Sequence, residues 1–186
     1  MSRNTKIILV IGGTTLFICV LLCIAGVIVA PRLAENAFVQ DPVRAKQIGA
    51  QIAEYTLPSS YQEFMGMDVL TTQMVMLAPK SQRGTFITLM QIRTSNVSRA
   101  QMEQQMQQAM QRQFQSGTYQ QVSEETVTIK GQSTVLTVSE SQGERGTMRQ
   151  ATGIFPAKGG LGMIMAMGTA SDWSWQVVRD FCASIR

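Results

Sequence analysis

The chain has 186 residues, with 16 basic and 12 acidic side chains, three cysteines and no histidine, so the commonest general base and metal ligand is missing. Residues 1–50 carry a net charge of +3 and the other 136 only +1, which puts the basic surplus beside a membrane-type segment, where it suits anionic headgroups. Neither this charge distribution nor the aromatic placement makes a nucleic-acid surface, and a lone Cys182 outside that segment does not make a disulfide scaffold.

A six-residue basic tail, 1–6, precedes Ile7–Ala30, IILVIGGTTLFICVLLCIAGVIVA, which is 24 residues without a charge. As a helix rising about 1.5 Å per residue it reaches roughly 36 Å, enough for a hydrocarbon core of about 30 Å. The apolar run exceeds the roughly 7–15 residues of a signal-peptide core. Pro31 follows Ala30 where cleavage would need a free site, and Leu22 and Ile18 precede the cysteines where a lipobox expects a small residue. The segment therefore reads as an uncleaved signal anchor, a single transmembrane helix. The flanking basic residues are nearly balanced, and the short tail is the easier side to leave in the cytoplasm, which places the domain outside. Gly12, Thr15, Cys19, Cys23, Gly26 and Ala30 recur at spacings of three and four and lay small side chains along one face. Such a stripe admits a close second helix, although spans are generally rich in small residues.

Residues 31–54 read as a juxtamembrane linker with a short helix. Asp41-Pro42 supplies N-cap and N1, and Val43, Ile48 and Ile52 give a moderate apolar pattern, as in a stalk. The domain proper is expected over 55–186. Period-two and β-branched content predicts strands at Gln62–Leu70, Gln73–Ala78 and Thr85–Arg93. Ser98 and Gln101 form a capping box, opening a helix with the stripe Met102, Met106, Ala109, Met110 and Phe114 and a glutamine-rich opposite face. Strands follow at Tyr119–Lys130, Ser133–Glu140, Thr147–Phe155 and Leu161–Thr169, with glycine turns between them. A last helix from Ser171-Asp172 to Ile185 stacks Trp173, Val177, Phe181 and Ile185. The order implies an α+β domain, an antiparallel sheet covered by helices.

The opening YTLPSSYQ, the hairpin with its proline-containing turn, the strand leading into one amphipathic helix, and the meander closing on a helix that ends FCASIR resemble the PsbP/DcrB-like fold over about 55–186. That resemblance implies a non-enzymatic role: an accessory subunit of a photosynthetic membrane complex, an exported lipoprotein or a regulatory binding module. The transmembrane anchor departs from the pattern. No metal or binding residue of the family carries over, because no motif matches.

Thirteen methionines stand out. On the last strand Leu161, Met163, Met165 and Met167 share one face, and Gly162, Ile164, Ala166 and Gly168 the other. Met65, Met67, Met74, Met76, Met90 and Met148 sit on or near other strands. A methionine-filled core is the expectation. The functional alternatives are a thioether site for Cu(I) and a pliable face for apolar ligands or partner helices. Glu124 and Glu125 would point to opposite faces of a strand, and Glu140 and Glu144 flank a turn, so neither is an acid–base pair. Gly159-Gly160-Leu161-Gly162 enters a strand rather than a helix, a poor phosphate loop. Asn96-Val97-Ser98 matches a glycosylation triplet, but Ser98 is better used as a cap. The sequence thus points to a membrane-bound, non-catalytic accessory or binding subunit that needs no cofactor. Its partners would be the bilayer and an integral membrane protein, not nucleic acid, and a small-molecule ligand is unspecified. The alternative is a carrier of lipid or pigment in a methionine-lined pocket.

Overall fold

The computed structural model describes residues 38–93, 119–143 and 146–186, together with Gln101, Gln104 and Gln108. The segment 7–30 with its small-residue stripe lies outside these residues, as does the stripe from Met102 to Phe114. Among the described residues, no helix is long and apolar enough to cross a membrane.

Two meanders build one sheet. The first is β2 (Tyr61–Val69), β3 (Thr72–Pro79) and β4 (Phe86–Ile92). The second is β5 (Gln120–Ile129), β6 (Gln132–Gly143), β7 (Gly146–Ala157) and β8 (Gly160–Thr169). They join where β4 pairs with β8, giving the order β1-β2-β3-β4-β8-β7-β6-β5, with the two-residue β1 (Phe38–Val39) at one edge. Every pairing from β2 through to β5 is antiparallel. The predicted strands fall within a few residues of these, because the turn residues are explicit. Lys130 (φ 52°) and Gly131 (φ 72°) both take the left-handed conformation that a two-residue hairpin turn requires.

Helix α1 (Pro42–Ile52) starts as its sequence dictates, with the Asp41 carboxylate accepting from Val43 N at 3.0 Å and proline in the first turn. It is not a stalk. Ala45, Ile48 and Ile52 are buried, and Ala45 and Ile52 belong to the main core. Gly66 on β2 lets the helix come close, since a Cβ there would stand 3.0 Å from Ala45 Cα. Val43, counted above as part of the apolar pattern, is exposed.

Helix α2 (Trp175–Ser184) starts four residues later than expected, with Ser174 as its cap. Asp172 is used up in the preceding turn, accepting from Thr169 Oγ1 at 2.9 Å. Trp173 consequently stays outside the helix, edge-on to Trp175 and beneath the Arg149 guanidinium. Val178, Phe181 and Cys182 turn inward, and Ile185 just beyond the helix is buried with them. Burying each large apolar side chain stabilises the fold by about 1.5–3 kcal/mol.

Both helices lie on the same face. The core there joins Ala45 and Ile52 of α1 and Phe181 of α2 to Val75, Leu89, Ile164, Leu136 and their neighbours. At one end this core is polar but satisfied. Gln73 Nε2 donates to Gln51 and Asp68, Gln91 Nε2 donates to Gln73 Oε1 at 3.0 Å, and Gln91 Oε1 accepts from Gly159 N at 2.8 Å. This chain ties α1, three strands and the β7–β8 turn into one register, since each group left unpaired inside would be costly. Among the described residues, no methionine belongs to the core. The expected methionine core is therefore corrected: small and branched aliphatic side chains, with Phe155, Phe181 and Tyr61, fill the space under the helices.

Candidate functional site

Residues paired across antiparallel strands share a face. The row Gly66, Val75, Leu89, Ile164, Gly153 lies under the helices, so its neighbours along each strand point the other way. On that outer face, one row reads Met67, Met74, Met90, Met163, Ile154. The next reads Met65, Met76, Thr88, Met165, Thr152, and Phe86 and Met167 pair beside it. All nine described methionines are on this face, Met148 included, and every one is partly exposed. The predicted residues Met163, Met165 and Met167 thus sit together opposite Gly162, Ile164, Ala166 and Gly168.

Cross-strand neighbours stand about 4.5–5.5 Å apart at Cβ, so the thioethers form a continuous apolar pavement across β2, β3, β4 and β8. These two rows carry no charge on those four strands. Unbranched, polarisable side chains reshape themselves to whatever lies on them. Adjacent thioethers are also a donor type that suits Cu(I). Among the described residues no cluster of acidic, cysteine or histidine side chains gathers to hold a metal.

A cleft of about 500 Å³ opens on the other side, lined by Lys46, Glu54, Tyr55, Leu57, Glu63 and Arg186 among others. It marks the seam between the helix ends, where Arg186 N donates to Glu54 O at 2.8 Å and Thr56 N donates to Ser184 Oγ at 3.1 Å. The Tyr55 ring packs on Phe181 with centroids 5.5 Å apart, and its hydroxyl has no hydrogen-bond partner among the described residues. Burial, and then the negative charge of Glu63, push the Tyr55 hydroxyl pKa up. Lys158, 2.9 Å from Glu54, lowers the carboxyl's pKa by hydrogen bond and charge. This lining mixes both signs of charge and contains no methionine.

The carboxylates are spread apart. Glu125 meets Arg179 of α2 at 3.2 Å, whereas exposed Glu124 accepts from Gln121, as their opposite faces require. Glu140 accepts from Arg149 Nε at 2.8 Å. Cys182 is fully buried, and burial pushes its thiol up to about 12, which makes it a poor nucleophile.

A protein from Bacteroides thetaiotaomicron VPI-5482 has a similar fold, with a TM-score of 0.50 at 12% identity. The match covers 81% of this chain and 47% of that one, so the chain spans about half its length. LpqN of Mycobacterium tuberculosis, described as involved in cell envelope biogenesis, also matches. Its TM-score is 0.29 at 12% identity, over 63% of this chain and 70% of that one. No family model matches the chain, and none of the curated proteins matches it in sequence. The first likeness supports the fold alone: a largely antiparallel sheet with helices.

Proposed function

We propose that this chain is a membrane-anchored, non-catalytic binding subunit of PsbP/DcrB-like type, its domain outside the cytoplasm, which receives an apolar-striped helix of an integral membrane protein on its outer sheet face. The observation carrying this reading is the gathering of all nine described methionines on the one sheet face that α1 and α2 leave open. An uncharged face spanning four strands is the kind of surface that α+β domains cover with a helix. Methionine suits a surface that must accept a partner rather than lock a single packing. The uncharged segment 7–30 would keep the domain beside membrane helices, and its small-residue stripe would meet one of them.

The test is purification of the full chain from native membranes in mild detergent. A stoichiometric membrane protein should copurify with wild type, be lost from Met90→Glu/Met163→Glu, and be retained by Met90→Leu/Met163→Leu. A stoichiometric lipid or pigment behaving this way would instead support the carrier alternative. A partner unaffected by the glutamates would overturn the assignment of this face.

A further inference from the structure

We infer that three neighbouring methionines of the outer face, Met74, Met90 and Met163, form a site for a soft monovalent cation of the Cu(I) class. The inference goes beyond the docking role proposed above and does not rest on it.

Register brings the three thioethers together. Met74 on β3 pairs with Met90 on β4, and Met90 pairs with Met163 on β8, so the three stand side by side on adjacent strands. Met67 on β2 continues the row by pairing with Met74. The neighbouring row is broken, because Thr88 separates Met76 from Met165. Among the described residues, this is the one row with three or more thioethers in succession.

The spacing suits one shared ion. Adjacent strands lie about 4.8 Å apart, which puts Met74 and Met163 about 10 Å apart with Met90 midway. Each sulfur stands two bonds beyond Cβ on a side chain with three rotatable bonds, so the outer two can lean in over Met90. Strands β3, β4 and β8 are each paired on both sides, which holds that spacing fixed. All three residues are partly exposed rather than sealed in packing.

The donor set selects the ion. Thioethers are soft, neutral ligands that favour Cu(I). The flanking rows, one from Val69 to Pro156 and the other from Met65 to Thr152, carry no charged side chain. Among the described residues, nothing beside the row therefore offsets a divalent charge, whose desolvation cost grows with the square of the charge. Mg(II) and Ca(II), which want anionic oxygens, find none there. Cys182 is buried in the core under the helices, away from this face. Thioethers carry no proton to displace, so the ion binds without releasing one.

The probe is Ag(I), which shares this donor preference and needs no reductant. It is titrated in chloride-free buffer into the full chain in detergent micelles, with the methionine ε-methyl groups labelled with carbon-13. The chain carries Cys19→Ala/Cys23→Ala, so that those thiols do not take up the metal. The methyl resonances of Met74, Met90 and Met163 are expected to shift together and to saturate at one equivalent. The affinity should be the same at about pH 5 and about pH 8, and Zn(II) should leave the three methyls in place. Met90→Leu should weaken binding by about tenfold or more, since losing even a supporting partner of a metal ligand does as much, whereas Met148→Leu should leave it unchanged. Methyls that stay in place at excess Ag(I) overturn the inference. So does a response spread alike over all nine described methionines and unaltered by Met90→Leu, or an affinity lost in acid, which marks a thiolate instead. Leucine keeps the face apolar, so the two readings separate. If Ag(I) does not bind while a membrane partner copurifies, this inference falls and the functional reading survives. If Ag(I) binds at the three methionines and no partner copurifies, the reverse holds.

Discussion

Adding one methyl group at Gly162 should destabilise the domain even though alanine is the better strand residue. Gly162 on β8 faces Phe155 on β7 across the sheet, and Phe155 is fully buried. A Cβ built on Gly162 would lie 2.7 Å from Phe155 Cζ and 2.9 Å from Cε1 and Cε2, so the ring lies flat over the glycine. Ordinary contact would require the ring to withdraw by most of an ångström into the packed core. Overpacking of this kind costs about 1–3 kcal/mol, from which the relief of glycine's entropy returns about 0.5–1. The net expectation for Gly162→Ala is a loss of about 1–2 kcal/mol. Phe155→Ala should cost about 3–5 kcal/mol by leaving a cavity. The double variant should cost about 1–2 kcal/mol less than the sum, because the new methyl enters space the ring has left. Urea unfolding of residues 39–186, followed by Trp173 and Trp175 fluorescence, measures all three. Strict additivity, or a Gly162→Ala domain as stable as wild type, would refute the ring-over-glycine packing.

Because α1 belongs to the core, residues 39–186 should unfold cooperatively, whereas 55–186 should be less stable by several kcal/mol or remain unfolded; circular dichroism melts of the two fragments decide this. Tyr55→Phe should raise stability by about 1 kcal/mol, since it deletes a buried hydroxyl that has no hydrogen-bond partner among the described residues. Chemical denaturation checks this, and a loss of that size would mean the hydroxyl is used. Stability should hold up to about pH 9 and fall above it. Cys182 is pushed from about 9 to about 12, and Tyr55 and Tyr61 are also raised by burial. The unfolded chain therefore releases these protons first, at about 1.4 kcal/mol per pH unit for each. Cys182→Ala should lose less stability between about pH 8 and pH 10.5 than wild type.

Most of the sheet was legible because each strand is bounded by residues with a conformational job, such as Lys130-Gly131 and Gly159-Gly160. The start of α2 was not, because Ser171, Asp172 and Ser174 can all cap a helix, and what settles which one does is the Thr169–Asp172 turn together with the long-range bond that Ser174 N donates to Thr85 Oγ1. The two faces of β8 could be separated by period, but not ranked. The bulkier methionine face reads as core, yet the helices and the Phe155 ring need the small residues Gly162, Ile164, Ala166 and Gly168. Period-two alternation says which residues share a face and is silent on which face the helices choose. The joining of nine methionines on one surface depends on cross-strand register, which no single strand encodes. The polar chain through Gln73 and Gln91 was hidden for the same reason, since glutamine is ordinarily read as surface.

The measurement that bears most directly on the central claim is photo-crosslinking of the full chain in its native membrane, with a photoreactive methionine analogue in place of methionine. Activated side chains at Met74, Met90 and Met163 should join a helix of a membrane protein partner. Adducts found only with lipid or water would contradict the assignment of the outer sheet face as a helix-receiving surface.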